Sequence, residues 1–83
     1  MNAMKLYVKV WCPWSVAARE WLDARGYRYD IIDVEADRAA YGAMTQLSGQ
    51  SKTPTLVTTD GSVLPDFGPE ELEAFVKKHG LKP

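Results

Sequence analysis

The hydrophobic period of this chain switches at one dipeptide, Cys12-Pro13, and that switch limits what its first third can become. Before it, Leu6, Val8 and Val10 share one parity, the period-two pattern of a strand. After it, Trp14, Ala17, Ala18, Trp21 and Leu22 recur at helical spacing. Proline is favoured at the first helical position, because the N–H it lacks would have no intrahelical partner there. Pro13 therefore reads as that first position and Cys12 as the N-cap. Arg25-Gly26 stops the helix, with Gly26 as the residue that leaves it. Tyr27 to Val34 is rich in Tyr, Ile and Val and reads as a second strand. Strand, helix and strand in this order predict a parallel pair joined by a right-handed crossover.

The remainder of the chain completes one sheet. Asp37 is placed to cap a second helix with apolar residues Ala40, Ala43, Met44 and Leu47, closed by Gly49. Thr53 to Thr58 reads as a third strand opened by Pro54. Asp60-Gly61 is a hairpin turn, and Ser62-Val63-Leu64 returns as a short fourth strand. Pro65 to Gly68 reads as a loop. Pro69 then opens a last helix, with Glu70, Glu71 and Glu73 early and Lys77, Lys78 and His79 late, as the macrodipole favours. Its buried stripe is Leu72, Phe75 and Val76. The order β-α-β-α-β-β-α predicts an α/β domain of the thioredoxin type, a four-stranded mixed sheet with three helices. At 83 residues it buries only about 60 % of its unfolded surface, enough for one economical core. Residues 4–83 are expected to form this single domain, with Met1-Asn2-Ala3 read as an expression remnant.

Composition narrows the function. A net charge of −1 argues against a general binder of nucleic acid or anionic membrane. No apolar run approaches the ~20 residues that span a bilayer, and the N-terminus enters the first strand without a signal peptide. The single cysteine excludes an intramolecular disulfide framework and a cysteine-rich metal cluster within one chain. Its lone thiol fits a reducing, cytoplasmic compartment. No residues are assigned to a metal.

Most single cysteines are small buried hydrophobes without chemistry. Cys12 differs in its position. The free N–H groups and positive end of the helix it caps favour a thiolate over a thiol. Cysteines so placed titrate at roughly 3.5 to 7.5, against about 8.5 when free. Ser15 stands one turn on, with a hydroxyl or a backbone N–H able to donate to the sulfur. Lys9, at the end of the first strand, adds positive charge nearby. In open α/β sheets this strand-to-helix junction is also where ligands usually bind.

Lys9-Val10-Trp11-Cys12-Pro13-Trp14-Ser15 resembles the glutaredoxin active site, in which a lysine precedes a Cys-Pro-aromatic-Cys tetrad by two residues. Tyr29 to Val34 is similar to the second strand of that family. Gly49-Gln50 followed by Thr53-Pro54 is similar to the approach to its cis-proline. The resemblance runs from Lys5 to the end of the chain and implies glutathione as co-substrate. It implies Cys12 as the nucleophile, with Lys9 steadying the thiolate and a glutathione carboxylate, and Trp14 walling the groove where tyrosine is usual. Thr53, ahead of Pro54, would pair through its backbone with the glutathione cysteine. Gln50 would reach the glycine end.

Three departures bear on mechanism. Ser15 replaces the second cysteine, so Ser15 joins Cys12 in a one-sulfur site. Ser51 stands where many members carry arginine or lysine, with Lys52 next to it as the available charge. Leu64 to Glu70 replaces a Gly-Gly pair and Ser/Thr-Asp that hold the γ-glutamyl carboxylate, leaving Asp66 as its equivalent and Gly68 for close approach. The resemblance thus implies a monothiol oxidoreductase acting as a monomer on glutathionylated or disulfide substrates. Two alternatives stand beside it. One is an iron–sulfur cluster shared by two chains and two glutathione thiols, although cluster-bearing relatives usually have Cys-Gly-Phe-Ser and more residues between lysine and cysteine. The other is a glutathione- or partner-binding domain with little turnover.

Overall fold

A computed structural model of the chain describes residues 4–82; the proposed remnant at residues 1–3 lies outside them. The elements are β1 (Met4–Val8), α1 (Pro13–Ala24), β2 (Tyr29–Asp33), α2 (Arg38–Ser48), β3 (Thr55–Val57), β4 (Val63–Pro65) and α3 (Pro69–Lys78). They form one four-stranded sheet in the order β2-β1-β3-β4. β1 and β2 are parallel, with Leu6 opposite Ile31. β3 runs antiparallel to both neighbours, with Leu56 opposite Leu6 on one side and Leu64 on the other. This is the thioredoxin-type α/β arrangement expected from the order of elements.

Alternation along β1 sorts its side chains to two faces. Met4, Leu6 and Val8 join Leu56 from β3 with Ala18 and Leu22 from α1 and Leu72, Phe75 and Val76 from α3. Tyr7 points the other way, packing with Val34 and with Met44 of α2. Helices therefore cover both faces, and the central strands are buried on both sides. The caps are local and as expected. Asp37 accepts from the Ala40 N–H at 3.2 Å, and Gly49 ends α2 at φ 73°, the left-handed region that favours glycine.

Two boundaries differ from the sequence pattern. Val10, expected as the third inward residue of β1, lies beyond the strand and is 60 % exposed. The Cys12 N–H donates to the Lys9 carbonyl at 2.9 Å, and this turn takes the chain off the sheet before Val10 can pack. Pro65, expected in a loop, instead ends β4, where it faces Thr55. An edge strand tolerates proline because its outer N–H groups have no ladder partner to lose. No helix among the described residues is long and apolar enough to cross a membrane.

Candidate active site

The turn at Lys9 to Cys12 delivers the cysteine to the start of a helix. Cys12 is the α1 N-cap, in extended conformation, with Pro13 following. Its side chain is 8 % exposed, and the thiol donates to the Thr53 carbonyl oxygen at 3.7 Å. Burial pushes the Cys12 thiol up, but the hydrogen bonds at the sulfur outweigh it and the net shift is downward. The groups able to donate to the ionised sulfur are the Ser15 N–H, the Ser15 hydroxyl, the Thr53 hydroxyl and the Trp14 N–H. A side-chain anion at an N-cap takes the N–H groups of the first turn; here the anion is sulfur.

Ser15 is 1 % exposed, and its hydroxyl oxygen has no hydrogen-bond partner within the usual limits. A buried hydroxyl in that state is costly unless something comes to accept from it. The ionised Cys12 sulfur is the group one turn away. The opposite wall of the site is the loop before β3. The Thr53–Pro54 peptide bond is cis, and Thr53 and Pro54 are both buried. The Pro54 carbonyl accepts from the Asp66 N–H at 2.9 Å, which ties this loop to the segment ahead of α3. Asp66 itself sits at φ 50°, a left-handed conformation uncommon outside glycine, and its carboxylate lies 3.9 Å from the Lys52 ammonium.

The structure thus brings Cys12, Ser15, Thr53 and Pro54 together, with Trp14 beside them and Asp66 linked through Pro54. Trp14 is 58 % exposed, so the helical spacing that suggested a core residue instead presents an indole at the mouth of the site. Its ring lies against Gly68: a Cβ there would stand 3.1 Å from the ring and 3.1 Å from the Glu71 carboxylate. Lys9 extends over the Trp11 ring, its ammonium 5.6 Å from the centroid. The Gln50 amide is engaged locally, accepting from the Lys52 N–H at 2.6 Å and donating to the Lys52 carbonyl at 3.2 Å. That arrangement shapes the loop leading to Pro54.

Two contacts have no counterpart in the sequence reading. The Trp11 indole N–H donates to Glu35 at 2.6 Å, fixing the turn ahead of the cysteine. The Glu71 carboxylate accepts from the Gly68 N–H at 2.9 Å. The second has a legible signal, since an acid three residues after an N-cap is half of a capping box. By charge alone, Glu71 is only one of the acids favoured at a helix start.

A cysteine at a helix N-terminus, facing a buried loop with a cis-proline in a thioredoxin-type sheet, defines a thioredoxin-fold redox protein. The Glutaredoxin family model matches residues 4–63, and the chain belongs to the glutaredoxin family. It is similar to a candidate glutaredoxin of Mycobacterium tuberculosis, 31 % identical over 77 residues that cover 92 % of each chain. Among solved structures it is similar to the thioredoxin-like protein BC3987 in a point-mutant form. That match has a TM-score of 0.80 and 30 % identity, covering 93 % of this chain and 97 % of the other. It is also similar to glutaredoxin 2 of Salmonella typhimurium, solved in complex with glutathione, with a TM-score of 0.71 and 27 % identity. The match covers all of this chain and 36 % of that one.

Proposed function

We propose that the chain is a monothiol, glutathione-dependent thiol–disulfide oxidoreductase, acting as a monomer in a reducing, cytoplasmic setting. The observation that carries this reading is the lone Cys12 thiol held below its ordinary range by helix and loop donors. Its thiolate attacks one sulfur of a glutathionylated substrate. A new disulfide forms between Cys12 and the glutathionyl sulfur, the old one breaks, and the substrate leaves as a thiolate. A second glutathione thiolate attacks the glutathionyl sulfur, releasing oxidised glutathione and the Cys12 thiolate. Over the cycle one mixed disulfide and one glutathione thiol become one substrate thiol and one oxidised glutathione, with Cys12 returned unchanged.

Ser15 cannot resolve the intermediate because a hydroxyl does not take part in disulfide exchange. Its role in this reading is to donate to the Cys12 sulfur whenever that sulfur is an anion, both before attack and as it leaves. The Thr53 backbone, held at the sulfur beside Pro54, is the edge along which the incoming glutathionyl cysteine would lie. The glutathione bound to the Salmonella relative supports the choice of thiol.

The test is glutathione-dependent reduction of a small mixed disulfide by the wild type and by Cys12→Ser. The reading requires turnover from the wild type alone. Equal rates, or none from either protein, would overturn it.

A further inference from the structure

A group attached to the sulfur that reacts with Cys12 must lie against the walls of the site, and one wall opens into a cleft. This cleft, of about 290 Å³, is lined by Trp14, Asp66, Phe67, Gly68 and Glu71. Trp14 is the second residue after Cys12, and its N–H serves the sulfur while its side chain lines the cleft, so this one residue joins the cleft to the helix turn that holds the thiol. Its floor is apolar, with Phe67 buried and the Trp14 ring packed over Gly68.

The charge of the cleft is set by two carboxylates. Asp66 is balanced by Lys52 at 3.9 Å. Glu71 has no cation within salt-bridge distance among the described residues and bonds only to the Gly68 N–H. That N–H is the donor an incoming anion would otherwise take. The next residue, Pro69, has none to give. One donor at the end of α3 that faces the cleft is therefore already taken by an anion of the protein's own.

We propose that Glu71 is the residue that sets the charge preference of this cleft, disfavouring disulfides with a carboxylate beyond the reacting sulfur and favouring neutral or cationic ones. The proposal rests on the reading of Cys12 as the nucleophile. Within that reading it makes glutathione a substrate that reacts against local charge. A partner thiol compound carrying an ammonium or hydroxyl groups meets no such opposition. The step is ordinary exchange: Cys12 sulfur bonds to one half of the disulfide, the disulfide breaks, and the other half leaves as a thiolate.

The experiment measures the rate of mixed-disulfide formation at Cys12 with oxidised glutathione and with cystamine, using wild type, Glu71→Gln and Glu70→Gln. The Glu71→Gln side chain keeps an amide oxygen to accept from the Gly68 N–H, so the helix start is preserved while the charge goes. Glu70 lies on the same turn but does not line the cleft, and its variant controls for net charge. Because the two disulfides differ in intrinsic reactivity, the quantity read is the ratio of their rate constants.

Glu71→Gln is expected to move that ratio toward glutathione by roughly three- to tenfold, with Glu70→Gln moving it less than about twofold. The wild-type preference is expected to shrink as salt is raised. No shift in Glu71→Gln, equal shifts in both variants, or a ratio indifferent to salt would overturn the proposal. The glutathione-dependent turnover assay fails or succeeds separately. Turnover with an unmoved ratio removes only the role of Glu71, and a moved ratio without turnover removes only glutathione as the reductant.

Discussion

The Cys12 sulfur and the Thr53 carbonyl oxygen lie 3.7 Å apart although 41 residues separate them in the chain. Neither residue reaches that position by local structure alone. Cys12 is set by the turn that ends β1 and by the helix it caps. Thr53 is set by the loop whose next residue is tied to Asp66. The sheet brings these two segments together because β1 and β3 are hydrogen-bonded neighbours, with Tyr7 opposite Thr55.

Ser15→Ala separates the two states of the site. With the thiol protonated, the Ser15 hydroxyl is buried without a partner, so its removal is expected to leave stability unchanged or to raise it by up to ~1 kcal/mol. With the thiolate, the same change removes a donor and the Cys12 pKa is expected to rise. A thiol whose folded pKa is depressed contributes stability above its unfolded value, about 8.5. That contribution fades as pH falls through the folded value. Alkylation rate against pH reads the shift, and the midpoint in Ser15→Ala should move upward, the backbone donors of Ser15 and Trp14 keeping part of the effect.

Ser15→Cys restores a second thiol one helical turn from the first. The side chain is buried beside the sulfur, so the Cys12 mixed disulfide is expected to be resolved within the chain. Mass spectrometry after stoichiometric glutathionylation should show an internal disulfide and free glutathione, whereas the wild type retains the adduct.

Tyr29 ties β2 to α1 through its hydroxyl, which donates to Asp23 at 2.7 Å. Burial, together with that carboxylate, pushes its pKa up to about 12. A tyrosine raised in this way stabilises the fold fully below about pH 10, its unfolded value. The contribution is lost as pH rises from there toward 12. Tyr29→Phe is expected to unfold at lower denaturant at neutral pH and to lose this part of the wild type's base sensitivity. Denaturant midpoints at pH 8 and pH 11 check both.

Leu56 is fully buried on β3 between β1 and β4 and packs with Leu6, Leu22 and Leu72. Leu56→Ala is expected to cost ~2–5 kcal/mol. That is a large part of the stability of a domain this small, commonly about 5–15 kcal/mol. Chemical denaturation of the reduced protein measures it.

Much of this architecture is legible in the sequence. Cys12-Pro13, Asp37, Gly49 and Gly68-Pro69 mark helix ends by chemistry that acts over three or four residues, and each stands where that chemistry puts it. The parity of Leu6 and Val8 likewise identifies an inward face. What escapes is non-local. Val10 keeps the parity of β1 but has left the sheet, because the turn back to Lys9 comes first. Leu47 and Trp14 keep a helical spacing yet are exposed, since no element covers them. The bond from Trp11 to Glu35 joins residues 24 apart, with nothing in either neighbourhood to announce it. In the candidate site the nucleophile and its serine are readable from one heptapeptide. The self-capped start of α3 requires knowing where the Glu71 carboxylate points.

The monothiol cycle is read in a single step from the wild-type protein with glutathione already attached to Cys12. On mixing with reduced glutathione, the release of oxidised glutathione and the return of the free thiol are followed in one turnover. A one-sulfur cycle gives one oxidised glutathione per chain, at a rate proportional to glutathione concentration, with the Cys12 thiol regained in full. An adduct that persists at millimolar glutathione would contradict it.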